Sequence, residues 1–143
     1  MEISRFNSEG YHDPTTYEAL SKIRKEELAE KRAYRPLVYI CSPLAGDMDG
    51  NMEKARRYCK FAVRSGAIPL APHLLFPQFM DDTNPGERAL AMFMNMVLLG
   101  KCDQLWVFGK NISEGMAAEI GKAEKRGMAI RYFTEGMKEA DKS

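Results

Sequence analysis

The chain is poor in the residues that build metal sites and disulfide frameworks. It has three cysteines, Cys41, Cys59 and Cys102, and two histidines among 143 residues. The cysteines stand far apart and form no CxxC pair, so the usual cysteine-based zinc patterns are excluded. We therefore expect neither a metal ion nor a cofactor. Isolated, odd-numbered thiols also favour the reducing cytoplasm over an oxidising compartment.

The sequence also lacks a strong net charge and a long apolar run. Its formal net charge is +1, which argues against a broad surface for nucleic acid. No apolar run approaches the ~20 residues that a membrane-spanning helix needs. The N-terminus, Met-Glu-Ile-Ser-Arg-Phe-Asn, has no apolar signal core. We expect a protein that binds neither nucleic acid nor membranes.

What remains is an ordinary globular composition, with 45% hydrophobic and 29% charged residues. The length suggests one folded domain, which we place at residues 37–133. Residues 1–36 form an N-terminal extension whose charged helix runs from Thr15 or Thr16 to about Ala33. That helix is either a solvated helix packed by a thin apolar stripe or a contact with another copy. Residues 134–143 are a polar tail that we expect to extend as a loose helix.

Strands and helices alternate along residues 37–133. This alternation predicts an α/β three-layer sandwich of Rossmann or flavodoxin-like type, with a four- to five-stranded parallel sheet and an extra N-terminal helix. Pro69 and Pro72 indicate that the second strand is short or at an edge. The predicted strands are 37–41, 67–70, 104–108 and 128–133, and the predicted helices are 51–65, 87–101 and 113–126.

The loops after the first three strands are the expected ligand side of such a sheet, because ligands bind at the carboxyl ends of parallel strands. The first loop, residues 42–51, offers Ser42, Gly46, Asp47 and Asn51. Gly46 permits a positive φ or a close ligand approach, while Asn51 is either a helix cap or a ligand contact. This loop matches neither the Gly-Lys-Ser/Thr phosphate loop nor the GxGxxG fingerprint.

His73 follows the second strand and has two readings. A lone histidine is usually a structural hydrogen-bonding residue, but its place at the carboxyl edge also suits a ligand contact. The next helix is rich in methionine, and methionines at helical spacing are more often adaptable core than a ligand site.

The segment from Ser113 to Glu119 joins the third strand to the last helix. Backbone N–H groups at a helix start have no intrahelical partner, and together with the helix dipole they favour an anion. Glu119 lies at the margin of the inward stripe formed by Met116, Ile120 and Ala123. It is therefore either a surface glutamate paired with Lys122 or a carboxylate of the site.

Four segments of the chain resemble the nucleoside 2-deoxyribosyltransferase-like superfamily, which includes the 2′-deoxynucleoside 5′-phosphate N-hydrolases and an uncharacterised bacterial and phage branch. The most specific is the spaced pattern Ser113-x-Gly115-x-x-x-Glu119-Ile120-Gly121-x-Ala123. The supporting segments are Tyr39-Ile-Cys-Ser-Pro-Leu-Ala-Gly46, Ala71-Pro72-His73 and Lys101-Cys102-Asp103-Gln104-Leu105-Trp106-Val107. The resemblance covers residues 37–133 and agrees with the predicted fold.

The resemblance implies a function and a set of roles. The substrate would be a nucleoside or nucleotide, Glu119 the nucleophile on C1′, and Tyr39 a residue that orients Glu119 or the sugar. A 5′-phosphate would be held by Ser113 and the N–H groups of Gly115 and Met116. His73 and Asn95 would contact the sugar or base, and Ser42, Gly46 and Asp47 would complete the substrate loop. Family members often assemble into homo-oligomers, and the charged N-terminal helix and the Met-rich third helix are candidate contacts.

Two positions depart from the family pattern. Asn95 replaces an aspartate that the family enzymes usually carry, and an amide cannot donate a proton as an acid. Asp47 or Asp49 could substitute, or catalysis is weak, or the domain only binds nucleotide. Ser113 replaces an aspartate of the true transferases, which removes a repulsion against phosphate. We therefore expect N-glycosidic cleavage or (deoxy)ribosyl transfer on a nucleoside 5′-monophosphate; the alternative is a non-catalytic nucleotide-binding domain.

Overall fold

The computed structural model describes residues 21–27 and 34–141. The chain divides between Arg35 and Pro36 into two compact units. In the first unit, residues 21–27 are helical. The remainder of the predicted N-terminal helix, at 15–20 and 28–33, lies outside the described residues.

The second unit contains the whole α/β alternation. Its elements in chain order are β1 (Leu37–Cys41), α1 (Met48–Arg64), β2 (Ile68–Leu70), α2 (Pro72–Leu75), a 3-10 turn (Phe76–Gln78), α3 (Pro85–Leu99), β3 (Gln104–Phe108), α4 (Glu114–Lys125), β4 (Ala129–Phe133) and β5 (Glu139–Ala140).

The five strands form one sheet in the order β2-β1-β3-β4-β5. The first four strands are parallel, and β5 pairs antiparallel to β4. This arrangement confirms the predicted Rossmann or flavodoxin-like α/β class. It also places β2 at an edge, as expected from Pro69, because proline cannot donate a hydrogen bond to a neighbouring strand.

The polar tail forms a strand instead of the expected loose helix. A tight turn reverses the chain: the Thr134 amide donates to the Lys138 carbonyl at 2.8 Å, and Met137 adopts a φ of 65°. Glu139 then lies beside β4, where its carboxylate accepts two hydrogen bonds from the Arg131 guanidinium at 2.8 and 2.9 Å. Strand β5 has only two residues, too few to show a strand period, so the pattern of the tail could not reveal this pairing.

Helices cover both faces of the sheet. On one face, α1 packs Tyr58 and Ala62 against Val38, Ile40 and Trp106. On the other face, α3 and α4 pack Leu99, Met116 and Ile120 against Tyr39, Cys41 and Leu105. The two sets come from alternate residues of β1 and β3, because successive side chains of a strand point to opposite faces.

Helices α3 and α4 lie side by side in a fixed register. Lys122 Nζ donates to the Met96 carbonyl oxygen at 2.6 Å, and Arg126 Nη2 donates to the Gly100 carbonyl oxygen at 3.0 Å. Both contacts join residues 26 apart in sequence, so the two helices run in the same direction. The same offset places Glu114, the first residue of α4, level with Arg88 of α3.

Much of α3 remains uncovered. Leu99 is its only buried residue, whereas Leu90, Phe93 and Val97 are 52%, 65% and 43% exposed. The expectation that its methionines form an adaptable core is therefore wrong for Met92, which is exposed. In the described part of the chain, no helix combines the length and apolar character needed to cross a bilayer.

Candidate functional site

One cleft opens at the carboxyl ends of β1 and β2, beside α3 and the start of α4. Eight of the ten residues predicted from the sequence line it: Tyr39, Ser42, His73, Asn95, Ser113, Gly115, Met116 and Glu119. They come from segments far apart in sequence, and the parallel sheet brings them together because its strand ends share one edge.

Gly46 and Asp47 do not line this cleft. Gly46 has the predicted positive φ, 94°, but it turns the chain into α1. The Asp47 carboxylate caps α1 by accepting from the Gly50 amide at 3.1 Å. These two positions therefore shape the loop, and the predicted contact of Gly46 and Asp47 with the substrate stays a prediction. Asp49, the other proposed replacement acid, is an exposed residue in the first turn of α1.

Asn51 neither caps α1 nor lines the cleft. Its Nδ2 donates to the carbonyl oxygens of Leu44 and Ala45 at 3.1 and 3.0 Å. The amide therefore ties the loop after β1 to the second turn of α1. The cap falls on Asp47 because an aspartate serves as well as an asparagine at this position and comes earlier in the chain.

The Glu119 carboxylate lies at the floor of the cleft against β1. Tyr39 and Cys41 point to it from the same face of that strand, and Cys41 Sγ donates to Glu119 Oε1 at 3.5 Å. Burial raises the pKa of Glu119 to about 7, while hydrogen bonds from Tyr39 and Cys41 act in the opposite direction. Near neutral pH the carboxyl group therefore exchanges readily between its acid and its carboxylate form.

The surface-pair reading of Glu119 is wrong in this structure. The ammonium of Lys122, its proposed partner, donates to the Met96 carbonyl oxygen, and no Lys122–Glu119 ion pair occurs within 34–141. Burial, followed by the neighbouring Glu119, raises the pKa values of Tyr39 and Cys41. Both groups therefore stay protonated near neutral pH and can donate hydrogen bonds to the carboxylate.

The start of α4 offers backbone donors to the cleft. Ser113 is the helix cap, and its Oγ accepts from the Met116 amide at 3.2 Å. The Met116 N–H thus has a protein acceptor in this structure, and its predicted role in binding phosphate stays a prediction. Helix geometry leaves the N–H groups of Glu114 and Gly115 without an intrahelical acceptor. A Cβ added at Gly115 would meet no atom within 4 Å, so there is open space above these donors.

Asn95 brings an unsatisfied acceptor to the cleft. Its Oδ1 is buried and has no hydrogen-bond partner, the one such side-chain atom found among the described residues. Buried polar atoms are normally paired, since an unpaired one costs about 1–3 kcal/mol. A ligand hydroxyl or amino group that donates to Asn95 would remove this cost.

Apart from Glu119, the charged residues that line the cleft were missed by the sequence analysis. Arg88 is the basic residue of the described lining, and the carboxylates near the mouth of the cleft are Asp81, Asp82, Glu87 and Glu114. Arg88 precedes Asn95 by seven residues, which is two helical turns, so both lie on one face of α3. That spacing is the signal that could have identified Arg88 once Asn95 was considered. Within 21–27 and 34–141, no group of three or more His, Cys, Asp or Glu side chains is placed to hold a metal ion.

The chain belongs to a domain family of unknown function, DUF7768, whose match spans residues 36–133. No curated protein matches it. Among solved structures, it is similar to a 2-deoxyribosyltransferase from the psychrotolerant bacterium Bacillus psychrosaccharolyticus, described as a biocatalyst for the synthesis of antiviral and antitumoral nucleosides. The two are 17% identical with a TM-score of 0.53, over 68% of this chain and 71% of that chain. At this identity the likeness shows a shared fold.

Proposed function

We propose that this protein cleaves or transfers the N-glycosidic bond of a nucleoside 5′-monophosphate, with Glu119 as the nucleophile. The observation that carries the proposal is the position of the Glu119 carboxylate at the floor of the cleft, where donors from β1 hold it. The pKa of this carboxyl group is about 7. The fold shared with a 2-deoxyribosyltransferase supports the proposal. Covalent glycosyl chemistry needs the ionised carboxylate, and with a pKa of about 7 the carboxyl group of Glu119 is ionised above neutral pH.

The proposed reaction has two steps. An oxygen of the ionised Glu119 carboxylate attacks C1′, the C1′–N bond breaks, and its electron pair leaves with the base. The product is a glycosyl ester on Glu119. Water or a second base then attacks C1′ and loses a proton to solvent, the bond between C1′ and the Glu119 oxygen breaks, and the carboxylate is restored. Tyr39 orients the carboxylate in both steps.

The departing base takes its proton from solvent, because Asn95 cannot supply one as an acid. Its role is instead to accept a hydrogen bond from the sugar through the unpaired Oδ1. A positioned general acid typically contributes 10²–10⁴-fold to a rate. We therefore expect slow turnover, or a preference for bases that leave well without prior protonation.

The phosphate end of the substrate is assigned to the start of α4. The free N–H groups of Glu114 and Gly115 lie there beside the Ser113 hydroxyl, and the helix register places Arg88 at the same level. Phosphate oxygens suit both backbone N–H groups and a guanidinium. Because the neighbouring carboxylates repel an anion, Arg88 becomes the group on which phosphate binding depends.

The direct test is incubation with a panel of deoxynucleoside and ribonucleoside 5′-monophosphates and the matching nucleosides, followed by chromatography of the free base. We expect base release from at least one monophosphate, and its loss in Glu119→Gln and Glu119→Ala. Glu124→Gln, on the same helix but outside the cleft lining, should keep the activity. A folded protein that releases no base from any substrate, with or without an acceptor base, would contradict the enzymatic proposal.

A second candidate function is nucleotide binding without turnover. It is favoured by Asn95, which keeps a hydrogen-bonding site for the ligand but cannot act as an acid. Calorimetry separates the two proposals: a non-catalytic domain should bind a monophosphate, release no base, and keep its affinity in Glu119→Gln.

We also propose that the protein self-associates through the exposed face of α3. Leu90, Phe93 and Val97 are spaced three and four residues apart, so they form one continuous apolar stripe. The stripe carries no charge, and a twofold axis can place such a surface against its own copy. Exposed apolar surface of this kind marks interaction sites.

A further inference from the structure

Cys41 is a buried thiol that the sequence patterns did not connect to the site. It follows Tyr39 by two residues, so both side chains leave the same face of β1. Cys41 Sγ lies 3.5 Å from Glu119 Oε1 and 4.0 Å from the Met116 carbonyl oxygen. The carboxylate is thus the nearer acceptor, and the side chain that reaches it is fully buried.

We propose that Cys41 is a positioning residue for Glu119, whose thiol donates a hydrogen bond that holds the carboxylate at the floor of the cleft. This inference rests on the proposed function of Glu119 as the nucleophile. Cys41 forms no bond to the substrate in this scheme. It acts through Glu119, as Tyr39 does from the neighbouring position on the strand.

The chemistry of a thiol suits this task. A thiol is a weak donor that brings no charge, so it leaves the carboxylate nucleophilic. A hydrogen bond to the ionised form of an acid favours that form. Burial, together with Glu119, raises the pKa of Cys41 well above its ordinary value. The group therefore remains a thiol, and neither a thiolate nucleophile nor a metal ligand is involved.

Other titratable and charged groups contact Glu119 or line the same cleft, and they stay constant when Cys41 is changed. From β1 the group is Tyr39; His73 of α2 and Arg88 and Glu87 of α3 line the same cleft, as do Asp81, Asp82 and Glu114. Lys122 of α4 is engaged with Met96. A difference between the wild type and a Cys41 variant therefore reports the thiol itself.

The experiment is a titration of the Glu119 side-chain carboxyl carbon by NMR, in protein without substrate. In Cys41→Ala the midpoint should rise by about half a pH unit, the effect of one weak hydrogen bond to the ionised form. In Cys41→Ser, which restores a donor, it should stay at or below the wild-type midpoint. Cys59→Ala removes a thiol from α1, outside the cleft lining, and should leave the midpoint unchanged.

An unchanged midpoint in folded Cys41→Ala would overturn the proposal. If that variant does not fold, Cys41→Val fills the space of the thiol without the donor, at the cost of one extra methyl group, and decides in its place. The titration needs no substrate, so it remains valid even if the protein releases no base. Where base release is found, the acid limb of kcat/KM against pH should move with the NMR midpoint, which a purely structural role of Cys41 would not cause.

Discussion

The Oγ of Ser42 lies 2.8 Å from the Nε2 of His73, which joins the loop after β1 to the helix that follows β2. Both residues line the cleft. Burial lowers the pKa of His73 to about 4, so the ring is neutral over the physiological range. The hydrogen bond between Ser42 and His73 thus joins two segments of the site without adding a charge to it. His73 makes the structural hydrogen bond of the first interpretation and also lines the cleft, as the second interpretation requires.

We predict that His73 stays neutral down to about pH 5. Its folded-state pKa lies below the ordinary value of 6.5, so protonation favours the unfolded chain. The stability that it contributes is complete above pH 6.5 and is lost as the pH falls toward 4. Ring nitrogen shifts in a His12→Gln background, where His73 is the one remaining histidine, measure this directly. A ring that titrates near its ordinary value would contradict the burial argument.

We predict that Glu119→Gln stabilises the protein at pH 8. The pKa of Glu119 in the folded state is about 7, above the ordinary value of 4.5. The buried carboxylate therefore lowers the free energy of unfolding at high pH, and this destabilisation disappears as the pH falls toward 4.5. At about 1.4 kcal/mol per pKa unit, the gain has an upper limit of about 3 kcal/mol. Urea unfolding at pH 8, 6.5 and 5 should show a difference that shrinks with pH. A constant difference, or one matched by Glu124→Gln, would contradict it.

Gly115→Ala should separate ligand binding from stability. A methyl group there meets no protein atom within 4 Å but projects beside the free N–H groups at the start of α4. Gly121→Ala is the matched control, because it adds a methyl group on the same helix in equally open space and outside the cleft lining. Both variants should gain about 0.5–1 kcal/mol of stability. Gly115→Ala alone should weaken monophosphate binding in calorimetry; equal affinities would place the phosphate elsewhere.

Arg88→Gln should weaken the binding of monophosphates more than that of nucleosides. A charged hydrogen bond contributes about 1.5–3 kcal/mol, so the loss in monophosphate affinity should be roughly 10- to 100-fold. Affinity for the matching nucleoside should change little, because it lacks the phosphate. Arg64→Gln removes an exposed arginine from the end of α1 and serves as the control. An equal loss of affinity for the monophosphate and the nucleoside would show that Arg88 does not contact the phosphate.

Phe93→Ser should lower the oligomeric state. The phenyl ring is 65% exposed at the centre of the apolar stripe on α3, so its loss removes contact area from the proposed interface without opening the core. Val63→Ser changes an exposed apolar residue on α1, on the opposite face of the sheet, and should leave assembly unchanged. Light scattering after size-exclusion chromatography gives the mass. A wild-type protein that is monomeric at all concentrations would rule out the interface.

The sequence predicted the parts of the fold that depend on local signals. The bounds of β1 and β3 agree with the prediction, because short apolar runs between polar turns are typical of buried parallel strands. The start of α1 was placed three residues late, since two good cap residues, Asp47 and Asn51, compete there. Strand β5 was missed because it has only two residues, which is too short to show the period of a strand.

The sequence predicted the part of the site that the order of the strands or the family motif indicates. Parallel strand order brought His73 and Ser42 to one cleft with the start of α4. The pattern could not show that Ser113 already uses the Met116 amide, because a cap and a phosphate contact require the same residue types. It also could not show that the apolar side of α3 is exposed. Periodicity identifies the apolar face of a helix, but it does not show what packs against that face.

The two edge strands of the sheet limit how copies of this protein can pair with one another. On one border, β2 is three residues long and carries Pro69; on the other, β5 has two residues and presents Glu139. A border that is short, interrupted by proline or charged is a poor template for a further strand. Addition of a further strand is therefore disfavoured at both edges of the sheet. The association proposed through α3 uses a helix face and needs neither edge.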